Sequence, residues 1–356
     1  MWAIVLKEFR QMRRDRRTLA MMILLPLVLL IMFGYAASFD ITSVHTVVVG
    51  PGAGAVAPTL PSQLDVVSVQ PGATRDDAVA DLKRGEATVA VVTAQGQQPA
   101  LLVDGSDLFA AKAVVGATKA GAVPLQAEVL FNPTLKTSVV MVPGLIGIVL
   151  VFVGTLFTAL GVVRERQAGT LELLAVMPFR PRDVFVGKIA PYFAVAAIDT
   201  AVIVAAGLGI FGVPFRGSVF TFVLAAVLFL FVTLGVGVLI STVSENQGQA
   251  IQLAIMTLLP QILLSGLVFP VSSMAPGVRW IAYLLPLTYF IRISRAVLIK
   301  AAPISSLWLP LTMLAVLGAV VFTLSILRFR RDLAPARTRG RVGAPDATSA
   351  APVATP

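Results

Sequence analysis

Six long apolar stretches dominate the chain, and each is long enough to cross a membrane. Roughly 20 consecutive apolar residues in a helix span the hydrocarbon core of a bilayer. The stretches cover residues 18–39, 137–163, 189–215, 217–244, 246–278 and 301–327, and the one charged side chain within them is Asp199. A helix pairs all its backbone groups within one segment, and the alternation typical of barrel strands is missing. The pattern therefore predicts an α-helical integral membrane protein with six transmembrane helices.

The segment 40–136, between the first and second spans, has a different pattern. Short runs rich in valine and alanine have the length and composition of strands, at 46–50, 66–69, 88–93 and 100–103. Thr74 followed by Asp77 is typical of a helix start, and residues 106–120 have a helical pattern. Alternating strands and helices over this length predict a small α/β domain with enough core to fold without disulfides.

The connection 164–188, between the second and third spans, is longer and more charged than a simple turn requires. We predict that it contains a short helix with Glu165 and Glu172 on one side. Leu171 and Leu174 supply an apolar contact, and Gly169 lets the backbone turn. Such a helix suits docking to a soluble partner, although a solvated loop with charge pairs along a helix is the simpler alternative. The residues assigned to this surface are Glu165, Arg166, Gly169, Thr170, Leu171, Glu172, Leu174 and Lys188.

Three further segments complete the predicted organisation. Residues 1–17 place apolar side chains on one helical face and basic ones opposite, which predicts an amphipathic helix at the membrane surface. Within the five-helix membrane domain 137–333, the proline-interrupted segment 270–300 is too broken to span and suits a re-entrant structure at the outer face. Residues 334–356 are rich in Ala, Pro, Thr and Arg and are expected to form a disordered tail.

The distribution of positive charge predicts the orientation. The net charge is +10, but the lysines and arginines lie beside the spans, which argues against a nucleic-acid partner. They are concentrated in 1–17, 164–188 and 328–341, and the short connections of the opposite side carry few. The positive-inside rule then places both termini in the cytoplasm and residues 40–136 outside, in a multi-pass protein of the plasma membrane.

Polar residues inside the spans are the candidates for a translocation path. A carboxylate at the bilayer centre is costly, so Asp199 is expected to face the bundle interior or a cavity, as a substrate or proton contact or as a structural hydrogen-bond partner. Gln252 and Gln261 have a spacing compatible with one inward side of the fifth span, where hydrogen bonding between helices is the simpler explanation. His45 is the only histidine, so no metal site is predicted.

The chain lacks a phosphate-binding loop of the Gly-x-x-x-x-Gly-Lys-Ser/Thr type. Gly187-Lys188 has Arg182 where that motif needs its first glycine, and Ile189 follows the lysine. We therefore expect no ATP hydrolysis by this chain and no cofactor bound to it.

Two motifs resemble those of type-2 ABC transporter permeases. One is the segment from Arg164 to Leu174, with Met177-Pro178, Gly187-Lys188 and Pro191-Tyr192 after it. The other is 264–270, followed by Met274-Ala275-Pro276, Trp280 and 285–289. The resemblance covers the six spans and both termini, and the segment 40–136 matches only in position, as in relatives with a large insertion after their first span.

The resemblance implies the membrane-spanning subunit of an ATP-driven exporter. A separate ATPase subunit would dock on 164–188 and supply the energy from ATP, and a second permease subunit, identical or different, would complete the path. The alternatives are an ion-coupled secondary transporter that uses Asp199 and a membrane-anchored sensor or scaffold with a ligand-binding external domain. The sequence leaves the substrate open.

Overall fold

The computed structural model describes residues 43–94, 98–169 and 181–333. The predicted surface helix 1–17, first span 18–39 and tail 334–356 lie outside these residues. Thr170, Leu171, Glu172 and Leu174 of the predicted docking surface lie outside them as well.

Residues 44–130 form an α/β unit around one mixed sheet. Its strand order is β2-β1-β3-β4-β5, and all neighbours are parallel except β3 and β4. The elements in chain order are β1 (Val44–Val49), α1 (Ala53–Val56), β2 (Leu64–Gln70), α2 (Arg75–Arg84), β3 (Val89–Val92), β4 (Ala100–Asp104), α3 (Leu108–Lys119) and β5 (Gln126–Leu130).

Both faces of this sheet are covered. Val48, Val91 and Leu101 belong to the core that includes α3, whereas Val47 and Leu102 belong to the opposite core with α2. Side chains alternate across a strand, so the nearly continuous apolar strands seen in the sequence are those of a sheet buried on both sides. The predicted strands and both predicted helices are present, and β5 was missed because it is short, includes Gln126 and Glu128, and is only partly buried.

The start of α2 follows the prediction from its sequence. The Thr74 hydroxyl accepts a hydrogen bond from the backbone N–H of Asp77, and the Asp77 carboxylate accepts one from the backbone N–H of Thr74. This reciprocal capping box satisfies backbone donors that the first helical turn leaves unpaired. Gly85 then ends the helix in the left-handed conformation at φ 74°.

A bundle of long apolar helices follows the α/β unit. The elements are α4 (Thr137–Phe152), a π turn (Val153–Phe157), α5 (Thr158–Gln167), α6 (Pro181–Gly209), α7 (Val219–Val243), α8 (Gln247–Leu264), α9 (Pro276–Ala282), α10 (Pro286–Leu298) and α11 (Trp308–Leu333), with 3-10 turns at Val271–Ser273 and Ile304–Ser306. Four segments are long and apolar enough to cross a bilayer: Thr137–Gln167, Ala190–Gly209, Val219–Val243 and Trp308–Arg328. Within the described part of the chain, the predicted membrane protein is thus confirmed at the level of these four helices.

The fifth predicted stretch, 246–278, differs from its prediction. Its helix α8 has 18 residues and ends at Leu264, and Gly266 then adopts a left-handed conformation at φ 85°. Glutamines in its first half lower its apolar character, and it is not among the four segments. The following α9 and α10 are bent by 74° relative to each other. The predicted interruption by prolines is present, because Pro276 and Pro286 each begin a helix.

The predicted third span and the connection before it also differ in their bounds. Helix α5 continues through Arg164, Glu165 and Arg166, since all three are good helix formers, and α6 begins at Pro181. The predicted connection 164–188 therefore overlaps the last turn of α5 and the first turns of α6. At its other end α6 stops at Gly209, before the predicted limit at residue 215.

The π turn is seated against α7 by a close backbone approach. A Cβ atom on Gly237 would lie 2.6 Å from the carbonyl oxygen of Thr155, and one on Gly154 would lie 2.4 Å from the Thr233 hydroxyl. The Thr155 hydroxyl donates to the Thr233 carbonyl at 3.3 Å. Only glycine permits this contact, which locks the middle of the Thr137–Gln167 helix to the centre of the bundle.

Candidate functional site

The two ends of the bundle have different surroundings. At one end the α/β unit contacts the connections α6–α7 and α10–α11. The Arg216 guanidinium donates to the Phe131 carbonyl at 3.2 Å, and the Lys300 ammonium forms an ion pair with Asp104 and donates to the Leu82 carbonyl at 3.1 Å. At the opposite end the carboxyl end of α5 meets the α7–α8 turn. The described start of the predicted docking segment and the α/β unit therefore lie at opposite ends of the bundle.

Arg166 and its neighbour Gln167 join three helix ends at the docking end, which is the end of the bundle that carries the first residues of the predicted docking segment. From the last turn of α5 its guanidinium donates to the carbonyls of Ser241, at 2.9 Å, and Ser244, at 3.2 Å, where α7 ends. The last carbonyls of a helix have no partner within it, so the cation satisfies them and offsets the negative end of the helix dipole. Gln247 of α8 donates to Gln167 at 3.1 Å and extends this contact to the next helix.

Gly169 ends α5 with the turn predicted from the sequence. Its φ is 71°, and its N–H donates to the Arg166 carbonyl at 3.0 Å. A left-handed glycine after the last helical residue is the usual way to direct a chain away from a helix. Glu165 lies beside Arg166 and is half-buried, and Lys188 lies within α6. The structure thus places Glu165, Arg166 and Gly169 together.

The predicted path residues fall on two helices. Asp199 is half-buried on α6, and it makes no hydrogen bond or ion pair with any described residue. Gln252 and Gln261 lie on α8, and Gln261 is 3% exposed. The side-chain oxygens of both glutamines are buried without a hydrogen-bond partner. Within the described chain no hydrogen bond connects Asp199 to either glutamine, so the three do not form one cluster.

Gln249 has a spacing in the sequence compatible with the same side of the span as Gln252 and Gln261, and it has a hydrogen-bond partner in the α7–α8 turn. Gln249 is 4% exposed, and its side-chain oxygen accepts from the Glu245 backbone N–H at 2.9 Å. It thereby stabilises the α7–α8 turn. A buried oxygen with no partner costs free energy, so Gln252 and Gln261 are the polar groups of α8 with unused hydrogen-bonding capacity.

Sequence reasoning missed the polar residues at the other end of α8 and on α10. Arg295 donates to the carbonyls of Val140, at 3.2 Å, and Gly266, at 3.3 Å. Ser265 is 2% exposed, and its hydroxyl has no partner among the described residues. Two arginines three residues apart, Arg292 and Arg295, on an otherwise apolar helix were the signal available in the sequence.

Comparison with known proteins agrees with this architecture. The sequence profile of the ABC-2 family transporter proteins matches residues 16–327, which is most of the chain. The probable multidrug ABC transporter permease YbhR of Escherichia coli is 26% identical over 368 residues, covering 94% of this chain and 99% of that protein. The probable multidrug ABC transporter permease YbhS of the same organism is 28% identical over 323 residues, covering 81% and 85%.

A third relative is similar over a shorter region. The inner membrane transport permease YhhJ of Escherichia coli is 31% identical over 220 residues, which is 59% of this chain and 57% of that protein. The resemblance drawn from the two sequence motifs is therefore confirmed. The chain belongs to the ABC-2 family transporter proteins and is a membrane-spanning permease of that family.

Proposed function

We propose that this permease forms the translocation path of an ATP-driven exporter in the inner membrane and that a separate ATPase subunit docks on residues 164–188. The observation that carries the proposal is the contact of Arg166 with the Ser241 and Ser244 carbonyls, at the start of the docking segment. A displacement of that segment by the ATPase would act on the ends of α5 and α7 together. ATP hydrolysis would thus move helices of the bundle although the chain itself has no phosphate-binding loop.

The proposed docking surface consists of the residues predicted from the sequence. Glu165, Arg166 and Gly169 form its described edge, and Lys188 lies in α6. The remainder, outside the described residues, is Thr170, Leu171, Glu172 and Leu174. Acidic side chains around an apolar pair suit a soluble partner with a basic rim, because complementary charges orient an encounter and apolar side chains supply the buried contact.

We propose an orientation of the chain in the membrane in which the two ends of the bundle face opposite sides. The docking end is placed in the cytoplasm, where the ATPase and its nucleotide are found, and both termini are placed there too. The α/β unit within 40–136 is then external, and the bent pair α9 and α10 is re-entrant from the outer face. The positive charges of 164–188 support this arrangement. Six spans require the stretch 18–39 and α8 in addition to the four long helices.

The path itself is proposed to run beside α8. Gln252 and Gln261 carry unpaired oxygens there, and Asp199 on α6 is the other polar residue proposed to face the path. A second permease subunit would supply the opposite wall. The relatives YbhR and YbhS are named as probable multidrug permeases, so we propose amphiphilic organic molecules as the exported class.

Charge reversal in the docking segment tests this function. Glu172→Arg should leave membrane insertion normal, because residue 172 belongs in the sequence to the connection between the predicted second and third spans. Like charges across a docking interface cost several kcal/mol. We therefore expect a large loss of ATPase co-purification and of substrate-stimulated ATP hydrolysis.

Glu245→Arg is the matched control, because Glu245 lies in the neighbouring α7–α8 turn at the same end of the bundle. Its reversal should have a much smaller effect. Intact association in Glu172→Arg with loss in Glu245→Arg would contradict the proposed docking site. Transport that persists without ATP but stops when the proton gradient is collapsed would instead support the ion-coupled alternative.

A further inference from the structure

A cavity of about 350 Å³ lies between the α/β unit and the helical bundle. Its walls come from both parts of the molecule. The α/β unit contributes the end of α2 and the start of α3, and the bundle contributes the end of α8 and one face of α10. The volume is in the range of pockets that hold small organic ligands.

Positive charge predominates among the ionisable side chains that line the cavity. Five cations face two carboxylates: Lys83, Arg84, Arg292, Arg295 and Lys300 against Asp104 and Asp107. Three of the five have partners in the protein. Lys300 pairs with Asp104, Arg84 pairs with Asp81 and Glu86, and Arg295 donates to two backbone carbonyls.

The other two cations are available for a ligand. Lys83 on α2 and Arg292 on α10 make no hydrogen bond or ion pair with any residue in the described part of the chain. They come from different parts of the molecule, and the acidic residues that line the cavity are already engaged with or close to Lys300 and Arg295. The site therefore has an excess of positive charge without a protein counter-charge.

A buried hydroxyl provides a second and independent indication of a ligand. Ser265 is 2% exposed and lines the cavity, and its oxygen has no hydrogen-bond partner among the described residues. A buried polar atom without a partner costs free energy, unless a ligand or a water molecule completes its hydrogen bond. Apolar side chains of Val140, Ile291 and Leu307 form part of the wall beside these polar groups.

We propose that this cavity binds a phosphate or carboxylate group through Lys83, Arg292 and the Ser265 hydroxyl. The guanidinium fork of an arginine matches the oxygens of either anion, and the lysine adds a flexible charge. The apolar wall accommodates the organic part of the molecule that carries the anion. The site goes beyond the proposed transport function, because it depends neither on the ATPase nor on a transported substrate.

Binding there connects the α/β unit to the bundle. One cation belongs to each part, so an anion held between them adds a link to the Lys300–Asp104 ion pair. A ligand that binds only the assembled folded state raises its stability with concentration. The occupant is either the headgroup of an anionic lipid or a soluble anion, and the chemistry of recognition is the same for both.

Thermal unfolding of the purified full-length permease in nanodiscs tests the site, with inorganic phosphate as the probe and sodium chloride at matched ionic strength as the reference. In phosphatidylcholine nanodiscs we expect a saturable rise of the apparent Tm with phosphate that chloride does not produce. Lys83→Gln and Arg292→Gln should each raise the apparent Kd for phosphate on the order of tenfold, because each removes a charged hydrogen bond. Ser265→Ala should weaken binding less.

Lys112→Gln is the matched control, since it removes the same charge from an exposed position on α3 outside the cavity. It should leave the phosphate response unchanged. Nanodiscs of phosphatidylglycerol, an anionic lipid, distinguish a lipid headgroup from a soluble anion as the occupant of the cavity. A phosphate response that disappears there identifies a lipid headgroup as occupant, and a response that persists identifies a soluble anion. No phosphate-specific shift in phosphatidylcholine, or an equal shift in Arg292→Gln, would overturn the proposal.

Discussion

At the scale of single residues, folding shifts the pKa values of two aspartates of the α/β unit in opposite directions. Burial raises the pKa of the Asp107 carboxyl, with the nearby Asp104 acting in the same direction and Arg295 and Lys300 opposing it. Hydrogen bonds from the backbone and hydroxyl of Thr74 instead lower the pKa of the exposed Asp77. The two aspartates therefore contribute to stability with opposite dependence on pH.

Substituting asparagine for each of the two aspartates should therefore change the pH dependence of stability in opposite directions. A raised pKa in the folded state means that the stability contribution of Asp107 is present below the unfolded pKa, about 3.9, and is lost as the pH rises through the folded pKa. Asp107→Asn keeps an oxygen to accept from the Ala110 N–H, which caps α3. The variant should therefore become more stable relative to the native protein as the pH rises.

Asp77→Asn should behave in the opposite way. The lowered pKa of Asp77 gives a contribution that is present above the unfolded pKa and is lost as the pH falls through the folded pKa. The native protein should thus be the more stable of this pair at neutral pH. The apparent Tm of all three proteins at several pH values, in chloride buffer without phosphate, measures both effects. Parallel pH profiles for the two variants would contradict the assignment.

At the scale of elements, the long helix Thr137–Gln167 is held against α7 by two separate sets of contacts. Helix α5 ends where Arg166 holds the carboxyl end of α7, and Gly169 turns the chain away directly afterwards. The middle of the same long helix is held against α7 by the π turn and Gly237. The carboxyl end and the middle of this helix are therefore anchored separately, the former at the docking end and the latter at the centre of the bundle.

Arg166→Gln should weaken transmission without removing the docking surface. The shorter neutral side chain cannot reach both the Ser241 and Ser244 carbonyls, and hydrogen bonds from a charged group contribute about 1.5–3 kcal/mol before the partial exposure of this site reduces them. We expect a several-fold loss of substrate-stimulated ATP hydrolysis with the ATPase still co-purifying.

Arg164→Gln is the control for that prediction. It removes the same charge from an exposed side chain two residues away on the same helix. Its hydrolysis rate should stay close to the native value. Equal losses in the two variants would indicate a general effect of positive charge at the docking end. The specific contact with α7 would then not be the cause.

At the scale of the whole molecule, a labelling experiment tests whether the two ends of the bundle lie on opposite sides of the membrane. The chain has no cysteine, so a single introduced one is a clean probe. Ala113 on α3 and Ala168 after α5 are both exposed and lie at the two ends. Ala113→Cys should react with a membrane-impermeant maleimide in intact cells, and Ala168→Cys should react only after permeabilisation. Reversed labelling would contradict the proposed orientation.

The sequence alone determined the features that depend on local pattern. The apolar runs predicted the long helices, the Thr74–Asp77 spacing predicted the capping box, and Gly169 predicted the turn after α5. Each of these is fixed by a few consecutive residues, whose hydrophobicity, side-chain oxygens or backbone freedom act over one or two helical turns. Recognition of the family rested on motifs of the same local kind.

Only the tertiary structure decided the features that join distant parts of the chain. Helix α8 ends at Leu264 within a stretch that has no charged residue, and Arg295 of α10 donates to the Gly266 carbonyl just after it. Arg166 meets α7 some 75 residues later, and the cavity brings Lys83 close to the face that carries Arg292. Such contacts depend on how helices pack rather than on the order of neighbouring residues. The periodicity of the sequence therefore does not predict them.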